Sequence, residues 1–172
     1  MTPESFVLTY YPFAKETESK TGISAIALLA QAALESDWGR KAVGNMMFGI
    51  KAGKDTPANK KQLITTTEYL PTATTKFPEI VSVSKHPNGQ YKYIVKDWFR
   101  KYDSPEESFT DHARFIEVNP RYAKALLVKD NPDLFVMELA KAGYATAPNY
   151  GLILQDMIKS VKKRLPNPNN KL

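Results

Sequence analysis

The run Ile23-Ser-Ala-Ile-Ala-Leu-Leu-Ala-Gln-Ala-Ala-Leu-Glu35 leaves this chain few choices. It is apolar at nearly every position, with Ser24 placed to cap its start and Gly22 to end the element before it. That pattern predicts a helix buried nearly all round. Glu35 closes the run, and Ser36-Asp37-Trp38-Gly39 follows at once. A carboxylate on the last turn of a core helix meets two terms of the same sign. Low dielectric disfavours its ionised form, and so does the negative end of the helix dipole. A carboxylic acid that keeps its proton near neutral pH can serve as the general acid of glycosidic cleavage. The run alone allows an ordinary end-of-helix surface glutamate equally well.

At 172 residues, 42% of them hydrophobic and 11% aromatic, the chain reads as one globular domain with a real core. The longest apolar stretch, 25–34, is broken by Gln31 and falls short of a membrane span. With no cysteine there is no disulfide framework. His86 and His112 lie far apart without metal-ligand spacing, so no metal or cofactor is expected. The net charge of +6 favours acidic or polyanionic partners, although solubility alone accounts for a charge this modest. No basic helix or aromatic-basic motif points to nucleic acid. Met1-Thr-Pro-Glu-Ser-Phe-Val carries no secretory signal pattern. That leaves a signal-independent, phage-type or contact-delivered route of release, or a shortened chain.

Residues 3–21 read as a first helix and the run above as a second. Residues 44–51, punctuated by glycine, read as a loop or short helix. From about 53 to 99 helical periodicity gives way to β-branched runs at 63–69, 80–84 and 91–95. The last two flank His86-Pro-Asn-Gly-Gln90, whose Asn-Gly is a hairpin signal. Helices resume at Ser104-Pro-Glu-Glu107, a capping-box pattern followed by the stripe Phe109, Ala113, Ile116, with His112 beside it as a packing residue. Asn131-Pro132 starts another helix, ended by Gly143. A last helix after Pro148 carries Tyr150, Leu154, Met157, Val161 and Leu165 on one face. The expectation is an α+β fold, mainly α, spanning 1–165, with a small antiparallel β lobe inserted and a flexible tail at 166–172.

The segments Ala30-Gln-Ala-Ala-Leu-Glu-Ser-Asp-Trp-Gly39, Asn45-Met-Met-Phe-Gly-Ile-Lys51, Thr66-Thr-Glu-Tyr69, Phe99 to Ala113 and Ala142-Gly-Tyr-Ala-Thr146 share one wider pattern. In their wording and order the chain resembles the glucosaminidase family of peptidoglycan hydrolases (glycoside hydrolase family 73). The resemblance implies a lysozyme-like helical domain with the β lobe beside an active-site cleft. It implies a monomer that cuts the β-1,4 bond after N-acetylglucosamine in cell-wall glycan, with Glu35 as general acid. It offers Glu68 as base or charge stabiliser, with Glu79 as rival, unless the substrate's own acetamido group attacks. Tyr144 matches a tyrosine lining the cleft floor near the acid, a catalytic candidate whose hydroxyl would hold the acetamido group or water. Trp38, Asn45, Phe48, Tyr69 and Tyr150 are candidates for holding sugars.

Two features depart from the family pattern. Ala147 stands where an aspartate is common, which removes an N-cap worth about 1 kcal/mol unless Asn149 starts the last helix. The β lobe, from Pro57 to Asp97, is longer than the usual hairpin. A lytic transglycosylase, a muramidase and a noncatalytic wall-binding module are the competing readings. Whether a delivery or inhibitor partner exists is not written in these residues.

Overall fold

The computed structural model describes residues 1–145 and 147–166; the expected tail from 167 on, and Thr146 of the last motif, lie outside them. The chain divides into two compact units, Gly49–Lys101 and the remainder described on either side of it.

The first unit is helical: α1 (Pro3–Thr21), α2 (Ala25–Glu35), α3 (Pro105–Val118), a short α4 (Ala123–Leu126), α5 (Pro132–Lys141) and α6 (Tyr150–Lys162). The helix α2 is the core element its composition predicts. It packs against α1, α5 and α6, and every residue from Ala27 to Ala33 is buried. Burying Leu28 and Leu29 contributes roughly 1.5–3 kcal/mol each. Its start is capped twice: Ser24 Oγ accepts from Ala27 N at 3.4 Å, and Glu18 of α1 accepts from Ala25 N at 2.9 Å.

The capping pattern at 104–107 forms in altered shape. Ser104 Oγ accepts from Glu107 N at 3.2 Å, but the Glu107 carboxylate reaches back to Asp103 N rather than Ser104 N. In α6 the buried stripe is Tyr150, Leu154, Ile158 and Val161. Ile158 takes the place expected for Met157, because the stripe follows i, i+4 spacing into the core. Asn149 occupies the N-cap of α6, yet its side chain makes no capping hydrogen bond.

The second unit carries β1 (Lys61–Leu70), β2 (Glu79–Lys85) and β3 (Tyr91–Arg100) as one antiparallel sheet in the order β1-β3-β2. The strands run longer than the β-branched runs that announced them. The register pairs Lys61 with Arg100 and Leu70 with Tyr91. The expected hairpin closes at 86–90, with His86 N bonded to Gln90 O at 2.7 Å and Gly89 at φ 86°. A bulge between Ile80 and Ser82 interrupts the β2–β3 ladder. The centre of the sheet is Tyr93 and Val95 of β3, both fully buried.

Candidate active site

The chain ends α2 abruptly just beyond Glu35. Ser36 Oγ donates to Ala32 O and accepts from Gly39 N at 2.9 Å. Asp37, Trp38 and Gly39 then follow in the left-handed region, at φ 53°, 54° and 78°. Two successive non-glycine residues there are costly, and such conformations cluster at functional sites. The turn leaves Glu35 on the last helical residue, as the sequence predicts.

Three elements meet around the Glu35 carboxyl. From the start of α6, Tyr150 donates its hydroxyl to Glu35 Oε1 at 2.9 Å. From the loop before α6, the Tyr144 ring stacks on Tyr150 with centroids 5.6 Å apart and planes at 16°. Glu35 retains an exposed surface, yet protein crowds it closely enough that burial pushes its pKa above the usual carboxylate value. The two observations describe one geometry: a carboxyl open to solvent on one side and walled on the others. The Tyr150 hydrogen bond pulls the other way, because it favours the charged form, and burial is the larger influence. Both tyrosines are in turn held above the ordinary phenol value, first by burial and then by the Glu35 charge.

Behind this trio lies a buried layer. His112 of α3 is fully buried and stacks on Phe48 at 3.8 Å, with planes 5° apart. Its Nε2 lies 3.2 Å from Oε1 of the equally buried Gln31. Burial pushes the imidazole pKa down to about 3, so the ring is neutral. Tyr144 meets His112 edge-on at 5.8 Å and Tyr122 at 5.9 Å.

The structure thus brings together Glu35, Tyr144 and Tyr150, with Phe48 reached through His112. Trp38 is not in this group: it packs edge-on against Phe6 of α1, with the Arg164 guanidinium over its ring. Asn45 ties its loop down by donating from Nδ2 to Tyr102 O at 3.0 Å. Glu68, Tyr69 and Glu79 belong to the sheet unit. Glu68 and Asp97 share Lys51 at 3.1 and 2.8 Å, Glu79 pairs with Lys96 at 2.8 Å, and Tyr69 is exposed beside His86. Sequence reasoning missed Gln31 as a site neighbour. Its one signal was a lone amide in an otherwise apolar run, one helical turn before Glu35. Among the described residues, no group of three or more His, Asp or Glu could hold a metal ion.

The family model for glucosaminidase, described as mannosyl-glycoprotein endo-beta-N-acetylglucosaminidase, matches residues 11–163. The peptidoglycan hydrolase FlgJ of Vibrio parahaemolyticus is 34% identical over 170 residues, covering 95% of this chain and 48% of that protein. This chain therefore spans about half the length of the FlgJ relatives it matches. A probable N-acetylmuramidase of Lactococcus lactis is 30% identical over 165 residues, covering 90% of this chain and 33% of that protein. Among solved structures, a C-terminally truncated glycoside hydrolase domain from Salmonella typhimurium FlgJ superposes with a TM-score of 0.71. It shares 31% identity and covers 94% of this chain and 99% of that one.

Proposed function

The chain belongs to the glucosaminidase family, and from that premise we propose that it is a peptidoglycan hydrolase cleaving the β-1,4 bond after N-acetylglucosamine. Residues 1–165 act as one functional domain on the cell wall. No helix among the described residues is long and apolar enough to cross a membrane. The observation that carries the reading is the Glu35 carboxyl, whose pKa burial raises and whose Oε1 accepts from the Tyr150 hydroxyl. Glu35 protonates the leaving glycosidic oxygen while positive charge builds on the sugar ring. Tyr150 fixes the rotamer of the acid, and Tyr144 stacks behind it to keep the phenol in place. Once the proton has gone, the Tyr150 hydroxyl stabilises the resulting carboxylate; the incoming water gives its proton to Glu68 where that residue is the base, and to Glu35 where the acetamido group is the nucleophile.

The partner of Glu35 is Glu68, acting as base or as a stabilising charge, unless the substrate's acetamido group supplies the nucleophile. Phe48, Trp38, Asn45 and Tyr69 remain candidates for contacting the glycan on the strength of the family motifs.

Digestion of purified sacculi by the wild type, Glu35→Gln and Glu68→Gln, followed by mass spectrometry of the fragments, tests this. Fragments ending in reducing N-acetylglucosamine are expected, with turnover abolished by Glu35→Gln. Wild-type turnover in that variant sinks the assignment of the acid. A second reading, muramidase action, is favoured by the Lactococcus relative's name. It would leave reducing N-acetylmuramic acid, and a lytic transglycosylase would leave 1,6-anhydro ends.

A further inference from the structure

Gln31 and His112 are two buried polar residues that the general-acid chemistry leaves unused. Gln31 sits four residues before Glu35, so both side chains project from one face of α2. Its Oε1 is engaged by His112 Nε2 at 3.2 Å. Its Nε2 is buried and has no hydrogen-bond partner of ordinary length among the described residues. Leaving such a donor unfilled costs about 1–3 kcal/mol, so its retention in an apolar helix calls for a cause.

That cause lies on the side of Gln31 away from His112. The Gln31 amide acts on the Tyr150 hydroxyl as a hydrogen-bonding side chain that favours its ionised form. Geometry points the same way: Gln31 lies one helical turn before Glu35 on the same face of α2, and the Tyr150 hydroxyl sits on the Glu35 carboxyl, so the unpartnered amide and that hydroxyl share one side of the helix. A neutral His112 can donate from Nε2 to Gln31 Oε1, which turns the Gln31 NH2 toward the tyrosine. The Tyr150 oxygen, offered a donor there, is left to give its single proton to Glu35 Oε1. With His112 protonated on Nε2 each link has one direction, and Nδ1 is the atom left without a partner among the described residues.

We propose that Gln31 and His112 are positioning residues that hold the Tyr150 hydroxyl as a donor to Glu35 Oε1, so that the transferable proton sits on Oε2. The inference rests on Glu35 being the acid. The titratable groups facing Glu35 are Tyr150 of α6 and Tyr144 of the loop before it, with Tyr122 and neutral His112 behind. Among the described residues, no charged side chain of α1 or α5 adds to the causes of its shift.

Gln31→Met keeps the length of the side chain and removes both polar ends. The expected result is a kcat lower by about 10-fold with KM changed less than about twofold. The alkaline limb of the rate profile should move up, because Glu35 loses part of the donation that favours its charged form. The melting temperature should change little, because an unfilled buried amide has gone but the buried His112 Nε2 loses its partner. In a Tyr150→Phe background the same substitution should leave the limb where it is. An unmoved limb in the wild-type background, or equal shifts in both, overturns the proposal. His112→Phe keeps the stack on Phe48 and is read the same way should Gln31→Met fail to fold. Carbon-13 NMR titration of the Glu35 carboxyl needs no substrate. A shift there in a protein inactive on sacculi would refute the proposed function and support the positioning role. Normal hydrolysis without that shift would do the reverse.

Discussion

Replacing Tyr150 with phenylalanine removes one hydroxyl and leaves a ring that can still stack on Tyr144. The bond lost is a 2.9 Å donation to Glu35 Oε1. A hydrogen bond to a charged group contributes roughly 1.5–3 kcal/mol where water cannot replace it. Glu35 keeps an exposed surface, so water substitutes for part of it, and about 1 kcal/mol is the appropriate figure. The bond stabilises the carboxylate more than the acid, so its loss raises the Glu35 pKa above a value already lifted by burial. At 1.36 kcal/mol per unit, the rise is about 0.7 unit. A general acid works while protonated, so the alkaline limb of kcat/KM on solubilised glycan should move up by that amount. The plateau should fall, because the acid is weaker and its two oxygens are no longer distinguished. A limb that moves down would refute the reasoning, since it would mean that Glu35 donates to Tyr150. A limb that does not move would mean that the hydroxyl is not coupled to the acid at all.

The Glu35→Gln variant should also gain stability, and the gain should depend on pH. A carboxyl whose folded pKa lies above its unfolded value leaves the fold at full strength below the unfolded value and weakens it as pH rises through the folded one. Thermal melts should therefore coincide for variant and wild type near pH 3 and diverge in favour of the variant as pH rises above about 4.5; a difference already present near pH 3, or none at pH 8, would contradict the assignment. Asn131→Ala should cost about 1 kcal/mol in denaturant titrations, because its side chain accepts from Leu134 N at 3.1 Å at the start of α5. Asn149→Ala should cost far less, because Asn149 caps α6 by position only. Equal costs would show that the capping bonds are misjudged.

What could be read from the residues, and what could not, follows the range of each interaction. The burial of α2, the caps at Ser24 and Asn131 and the Asn-Gly hairpin are decided by neighbours a few positions away, and those spacings are visible in the chain. Glu35 was legible for the same reason: an apolar helix and the turn that stops it are both local. The glutamine one turn earlier was equally visible, but its meaning was not. Gln31 meets His112 across 81 positions, and Glu35 meets Tyr150 across 115. Neither pairing leaves a period or a spacing for a single sequence to show. Tyr150 therefore reads as a position on the stripe of α6, where its ring does pack, and through the family resemblance as a sugar contact, while its hydrogen bond to Glu35 is visible only in the fold. Trp38 is the opposite case. A tryptophan beside Glu35 in sequence is a candidate for holding sugars, and the structure places its ring against Phe6 after two left-handed residues, a contact that no local pattern announces. The left-handed turn seats Trp38 on Phe6, while the packing of α6 on α2 unites Glu35 with Tyr150. In this chain, proximity along the sequence identifies the proposed acid, and contact across the core identifies the residues that hold it.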